Sequence, residues 1–255
     1  FKTNEVKTLK EMITVSTSVH DILYYEILDI SIYEIENKRE LIVDFYNDKV
    51  EEVKKIKLLV TPDATVQKVL DELKNKLAPT IAINGELRLL EIYKNRIQKV
   101  FQKEDTPATS LSSGSELRVE EIPDDQKQQS NSNAEQQQTE KTEIVQVVHF
   151  CKENNSNHYF GAPFYLTIAA SETLTSIKKR IQEKLDVKDE EFKEYKFASV
   201  YSATRYDYIN DDDCVLQAIE KVENFRNSPM LGLEHKDPNY KPTQRWYDKP
   251  IVIKN

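Results

Sequence analysis

PDATVQKVLDELKNKL, residues 62–77, and ASETLTSIKKRIQEKL, residues 170–185, carry the same pattern. In the first, Val66, Val69, Leu70, Leu73 and Leu77 recur at the spacing that gathers side chains on one face of an α-helix. In the second, Leu174, Ile177, Ile181 and Leu185 do the same. A shift of 108 residues lays Thr65 on Thr173, Val69 on Ile177, Leu73 on Ile181 and Leu77 on Leu185. Both threonines lie near helix starts, with Asp63 and Ser171 the expected N-caps.

The same shift lays LRLLEIY (87–93) on YKFASVY (195–201), each a strand pattern following its helix. Two strand candidates precede each helix: ELIVDFY (40–46) and KKIKLLV (54–60) in the first half, EIVQVVHF (143–150) and APFYLTI (162–168) in the second. Each half closes on a further candidate, SELRVEEI (115–122) and PMLGLEH (229–235). A hairpin feeding a helix that packs on one face of a mixed sheet is the β-grasp layout of ubiquitin, and here it is predicted twice. The expected fold class is therefore α+β, two tandem ubiquitin-like β-grasp domains plus an extended C-terminal tail. The expected boundaries are 18–123 and 143–235 for the domains and 236–255 for the tail.

Between the halves, DDQKQQSNSNAEQQQTEKTE (124–143) holds a single apolar residue, Ala134. Such a segment cannot bury enough surface to offset chain entropy. Residues 124–142 are read as a flexible linker, with a polar helix as the alternative. Ahead of the first half, residues 1–17 are read as the end of a preceding helix, around TLKEMITV (8–15), and a connector. DILYYEILDISIYEI (21–35) is rich in β-formers and is expected to add a strand or pack along the first domain. The chain opens on Phe1 rather than Met and is read as a fragment.

The 255 residues are 31% charged and 38% hydrophobic, ordinary for a soluble globular protein. The formal net charge of −8 argues against a general nucleic-acid binder. No apolar run reaches the ~20 residues of a membrane span, so neither nucleic acid nor membrane is expected as a partner. Two cysteines, Cys151 and Cys214, make no disulfide scaffold and suit a reducing compartment, cytoplasmic or nuclear.

His149 and Cys151 stand two apart on a predicted strand and share a face, with His158 beyond them. A nucleophile pair or a metal site is conceivable there. A structural role is the stronger reading, because no oriented carboxylate or CxxC spacing accompanies them. The four glycines lie outside any phosphate-cradling motif, and Asp211, Asp212 and Asp213 lack the alternating ligands of a calcium loop. These acids are expected to form a solvated turn capping the helix CVLQAIEKV (214–222). No Gly-Gly occurs, which excludes use of the chain as a conjugated modifier. No cofactor, metal or catalytic centre is expected.

LRLLEIY (87–93), LRVEEIPDDQ (117–126), EEFKEYKFA (190–198), YINDDD (208–213) and LGLEH (231–235) resemble the C-terminal region of the herpesvirus-associated ubiquitin-specific proteases and their fungal and plant relatives. The resemblance runs from about Thr8 to Asn255 and implies the fourth and fifth ubiquitin-like domains of a deubiquitinating thiol protease, of fungal type. The family's catalytic Cys, His and Asp belong to a domain outside this chain, and neither cysteine here matches them. The resemblance further implies that the tail folds onto the enzyme's own catalytic domain and favours its active arrangement. Ubiquitinated substrates or adaptor proteins would be further partners. The matching positions are Asp248, Lys249, Ile251, Ile253 and Asn255, with Trp246 and Tyr247 in the place of an aromatic–aliphatic pair. Pro250 and Val252 depart from the family pattern, and Pro250 withholds one backbone donor.

In WYDKPIVIKN (246–255), Ile251 and Ile253 fall on one side of an extended segment able to lie in a groove. Burying two isoleucines and a ring would contribute roughly 5 to 8 kcal/mol before ordering costs. The candidate site is accordingly Trp246, Tyr247, Lys249, Ile251 and Ile253. The alternative is a protein-docking module recruiting substrates or adaptors, with the tail incidental; the tail itself could instead pack on its own second domain or fray.

Overall fold

The structure, a computed structural model, describes residues 31–127, 141–153, 156–220 and 230–239. The chain divides into two compact parts, 1–37 and 38–255. In the first, the described residues form α1 (Ile32–Asn37). This helix covers the end of the stretch expected to add a strand. The reason is local: Ser31 Oγ accepts the Glu34 N–H at 3.2 Å, an N-cap that outweighs the β-propensity of the isoleucines. TLKEMITV and residues 21–30 lie outside the described residues.

The second part is α+β. Its first sheet holds β1 (Arg39–Tyr46), β2 (Glu52–Val60), β3 (Leu87–Tyr93), β4 (Arg96–Val100) and β5 (Glu116–Glu121) in the order β2-β1-β5-β3-β4. β1 and β5 are parallel and the other pairs antiparallel. Helix α2 (Val66–Leu77) buries Val66, Val69, Leu70, Leu73 and Leu77 against one face, among Val43, Leu58, Leu89 and Val119. Each such fully buried side chain contributes about 1.5 to 3 kcal/mol. The short helices α3 (Pro107–Ser110) and α4 (Asp124–Lys127) flank β5.

The second sheet repeats this plan: β6 (Thr142–Glu153), β7 (Ser156–Ala169), β8 (Lys196–Val200), β9 (Tyr206–Tyr208) and β10 (Met230–Glu234), ordered β7-β6-β10-β8-β9. Again the central pair, β6 and β10, is parallel. Helix α5 (Leu174–Leu185) buries Leu174, Ile177 and Ile181 beneath it, with Leu185 partly covered. Helices α6 (Asp189–Phe192) and α7 (Val215–Glu220) complete this half. This α+β arrangement of two mixed sheets is consistent with the β-grasp-like layout expected from the helical patterns. Among the described residues no helix is long and apolar enough to cross a membrane.

The expected N-caps are corrected. Thr65 and Thr173, not Asp63 and Ser171, occupy the N-cap positions, and neither side chain caps. The free N–H groups are met instead by carbonyls of a distant loop. Val66 and Gln67 donate to Asp105 O and Lys103 O at 2.8 and 3.2 Å. Leu174 and Thr175 donate to Asp213 O and Asp211 O at 3.1 and 3.2 Å. Donors and acceptors alike are spaced 108 residues apart. Each loop is held by an aspartate: Asp105 Oδ2 accepts from Gln102 N at 2.9 Å, and Asp213 Oδ2 from Asn210 N at 3.0 Å. The Asp211–Asp213 turn thus closes the helix before it in sequence, α5, through its backbone.

The halves diverge on the back of the central strand. In the cross-strand register Arg118 opposes Leu90, and Gly232 opposes Ala198. The absent side chain at Gly232 makes room for Phe150 and Val200. A Cβ there would stand 2.6 Å from Phe150 Cε1 and 2.4 Å from Val200 Cγ2. At the edge of the first sheet, Lys76 Nζ donates to the Lys57 carbonyl of β2 at 2.7 Å.

Gly232→Ala is expected to lower the unfolding free energy by about 1 to 3 kcal/mol, the usual cost of overpacking. Adding Val200→Ala should recover part of that loss, because the two sites share the clash. Denaturant titration of the four proteins checks this, and additive losses would refute it.

Candidate functional site

Trp246, Tyr247, Lys249, Ile251 and Ile253 lie outside the described residues, as does most of the 124–142 segment. What is described is the root of the C-terminal segment. β10 ends at Glu234, and His235 donates its backbone N–H to Phe150 O at 3.1 Å. Asp237 then turns inward, only 8% exposed, and its Oδ1 accepts from Asn239 N at 2.9 Å.

The histidine and cysteine candidates resolve into separate environments. His149 is buried, and its ring nitrogen partner is His235. Cys151 faces His158 across the β6–β7 pair. Neither Cys151 nor Cys214 is joined in a disulfide among the described residues, and Cys214 Sγ lies 3.9 Å from Ser171 O. Among the described residues, no three His, Cys, Asp or Glu side chains are grouped to hold a metal.

A site that the sequence did not announce lies where the two sheets meet. Arg118, 3% exposed, points from β5 into the second half and donates to Pro163 O at 2.5 Å. Its other terminal nitrogen donates to Glu120, and its guanidinium lies 4.1 Å from the centre of the Tyr46 ring. Glu120 also accepts from Arg88 Nε at 2.8 Å. Arg88 donates to Gln126 Oε1 at 2.7 Å and lies over the Tyr165 ring. Gln126 in turn donates to Tyr165 O at 3.2 Å. Thus α4, within the stretch read as linker, is docked on the second sheet. Burial pulls the Arg118 pKa below the ordinary guanidinium value, while Glu120 and Tyr46 oppose that shift. A guanidinium still keeps its charge, so the seam encloses a real cation.

Two further contacts fix the same junction. Lys184 of α5 donates to Asp48 O at 2.8 Å, and Lys49 pairs with Asp186 at 2.6 Å. Between them, Val50 adopts φ +65° and packs on the second core. A β-branched residue in that region is strained, so packing must hold it there. Asn95 Nδ2 also donates to Gly161 O at 2.8 Å.

These elements border a cleft of about 1040 Å³, lined among others by Phe45, Arg118, Glu120, Pro123, Tyr165 and Lys184. Its lining residues include no Cys, His, Ser or Thr. The cations around it are engaged: Arg88 and Arg118 by Glu120, and Arg180 by Glu172 at 2.8 Å. The cleft is bordered by the ion pairs and hydrogen bonds of a packed protein seam.

Arg118 escaped the sequence reading because β-strand alternation places it on the face opposite the core, where a charged residue is ordinary. The one available signal is Gly232 at its counterpart position in the second half.

The family profile "Ubiquitin-specific protease C-terminal" matches residues 22–240. The chain is 34% identical to "Ubiquitin C-terminal hydrolase 12" of Arabidopsis thaliana, over 98% of this chain and 22% of that protein. It is 29% identical to "Ubiquitin carboxyl-terminal hydrolase 15" of Schizosaccharomyces pombe, over 94% of this chain and 20% of that protein. With "Ubiquitin carboxyl-terminal hydrolase 7" of Drosophila melanogaster it shares 28% identity, over 91% of the chain and 20% of the relative. The chain thus spans about a fifth of the length of these relatives. The profile match covers both sheets and the seam between them, and the chain belongs to the ubiquitin-specific protease C-terminal family.

Proposed function

We propose that this chain is the regulatory C-terminal module of a deubiquitinating cysteine protease, working in the cytoplasm or nucleus. In this reading its two halves are tandem ubiquitin-like domains, the fourth and fifth of a fungal-type enzyme, and the catalytic centre lies elsewhere in the parent protein. The observation that carries the reading is the family match over residues 22–240, joined to a strand order repeated in both sheets. The seam adds support, because a module that delivers a tail to a distant surface needs a fixed geometry between its parts. Residues 246–255 act as an intramolecular clamp. Ile251 and Ile253 anchor it in the catalytic domain, Trp246 and Tyr247 extend the apolar contact, and Lys249 supplies a charge. A tether makes the effective concentration of such a tail high, so modest burial suffices.

The parent catalytic domain alone, supplied with a peptide of residues 237–255, should gain activity on a fluorogenic ubiquitin conjugate. The Ile251→Ala, Ile253→Ala peptide should not activate. Activation by neither peptide would favour a docking module recruiting substrates or adaptors. That alternative has its own observation, the exposed Ile42 of β1 and Val53 of β2.

The seam gives a separate expectation. Arg118→Met keeps an aliphatic stem but loses the guanidinium over Tyr46 and the bonds to Pro163 and Glu120. Glu120 retains Arg88, so the cost should fall at about 1 to 3 kcal/mol, below that of orphaning a buried charge. Small-angle scattering should show a broader distribution of distances between the halves, whereas unchanged stability and scattering would deny the seam its role.

A further inference from the structure

Three of the four histidines of the chain, His149, His158 and His235, gather where the C-terminal segment leaves β10. His149 Nδ1 and His235 Nε2 are 2.9 Å apart, with the rings nearly perpendicular at 81°. The His235 ring is stacked on Tyr195, centroids 3.9 Å apart, and meets the edge of Phe160 at 4.8 Å. Gly161, at φ +64°, carries β7 past the His149 ring so closely that a Cβ would lie 3.4 Å from it. The backbone of His235 is bonded to Phe150 O, so this ring sits on the last residue tied into the sheet.

We propose that His149 and His235 form an acid-released clasp at the root of the C-terminal segment, closed while the pair holds at most one extra proton and opened by the second. The basis is hydrogen-bond arithmetic. A nitrogen–nitrogen bond between imidazoles needs one N–H and one lone pair. The neutral pair supplies both, and so does the singly protonated pair. The doubly protonated pair faces two N–H groups and two charges across the same gap, one of them on the buried His149.

The groups facing the clasp do not rescue the second charge. Around His149 stand Phe160, Gly161 and Phe164 of β7, all uncharged, together with His235. Burial first, and the neighbouring His235 second, hold the His149 pKa down at about 3. His235 meets Tyr195, which is pushed up to about 12 and stays neutral, and feels Glu191 of α6 and Asp237. Burial also lowers His235, the Lys236 backbone, Glu191 and Asp237 opposing. His158 lies 3.9 Å from Asp237 on the exposed side. Both clasp histidines have folded pKa values below the ordinary 6.5, so the opened form binds more protons. The clasp is intact above that pH and weakens as pH falls through it.

The test is hydrogen exchange of the full chain between pH 7.5 and 5.5, corrected for intrinsic rates, with β1–β2 amides as internal control. Protection of the His235 amide should fall about tenfold or more relative to that control, one pH unit below 6.5 being worth roughly a decade per proton. In His149→Phe this pH dependence should flatten. Side-chain nitrogen NMR of the unmutated chain supplies a readout independent of the variant's folding, and His149 should remain neutral at pH 5.5. Flat protection in the unmutated chain, or a His149 that titrates near 6.5, would overturn the proposal. The clasp does not rest on the role proposed for the tail and survives failure of the peptide-activation experiment.

Discussion

Arg118 is a full positive charge enclosed by protein, and the joining of the two halves depends on how it is satisfied. A buried charge left without partners would cost several kcal/mol, so its neighbours are constrained rather than merely adjacent. Pro163 must offer its carbonyl, Tyr46 its ring face and Glu120 its carboxylate. Glu120 then requires Arg88, which brings in Gln126 and Tyr165. One strand residue therefore dictates where β7 lies against the first sheet. Its counterpart, Gly232, does the opposite: with no side chain it lets Phe150 and Val200 close the back of the second sheet. A shared plan carries a connector at one position and a filler at its equivalent.

What stays constant between the halves is the closure of the helix N-termini. A helix leaves its first N–H groups without internal partners. Here a loop beyond the edge hairpin supplies the acceptors in both halves, and an aspartate holds that loop in shape. Helix, hairpin and loop are thereby locked together, so each half is a cooperative unit rather than a helix resting on a sheet.

Much of this was legible in the sequence, for physical reasons. The two long helices announced themselves because their buried residues follow a period that exposure would not preserve. The opening strand of each half, Arg39–Tyr46 and Thr142–Glu153, stood out by its β-branched residues. The caps were misread because local rules look for a side chain within a few residues, whereas the acceptors at Lys103, Asp105, Asp211 and Asp213 lie far along the chain. The helix Ile32–Asn37 was hidden by its isoleucines, though Ser31 and Glu34 mark its start. The tail residues Ile251 and Ile253 lie outside the described residues, and the seam was not visible in the sequence. Nothing local distinguishes an arginine bound for solvent from one bound for a neighbouring carbonyl, and Gln126 sat in a stretch whose composition resembles a spacer.

The bond from Lys76 to the carbonyl of Lys57 has a consequence for how the protein behaves in a crowded solution. Among the described residues β2 is the border of its sheet, nine residues long, and such a border is a template on which another chain can polymerise. An ammonium group parked on one of its carbonyls interrupts that template, and Lys54, Lys55 and Lys57 would place like charges face to face if two borders met. Lysines along such a border are a form of insulation, one of the devices by which strand-rich proteins avoid joining their own copies.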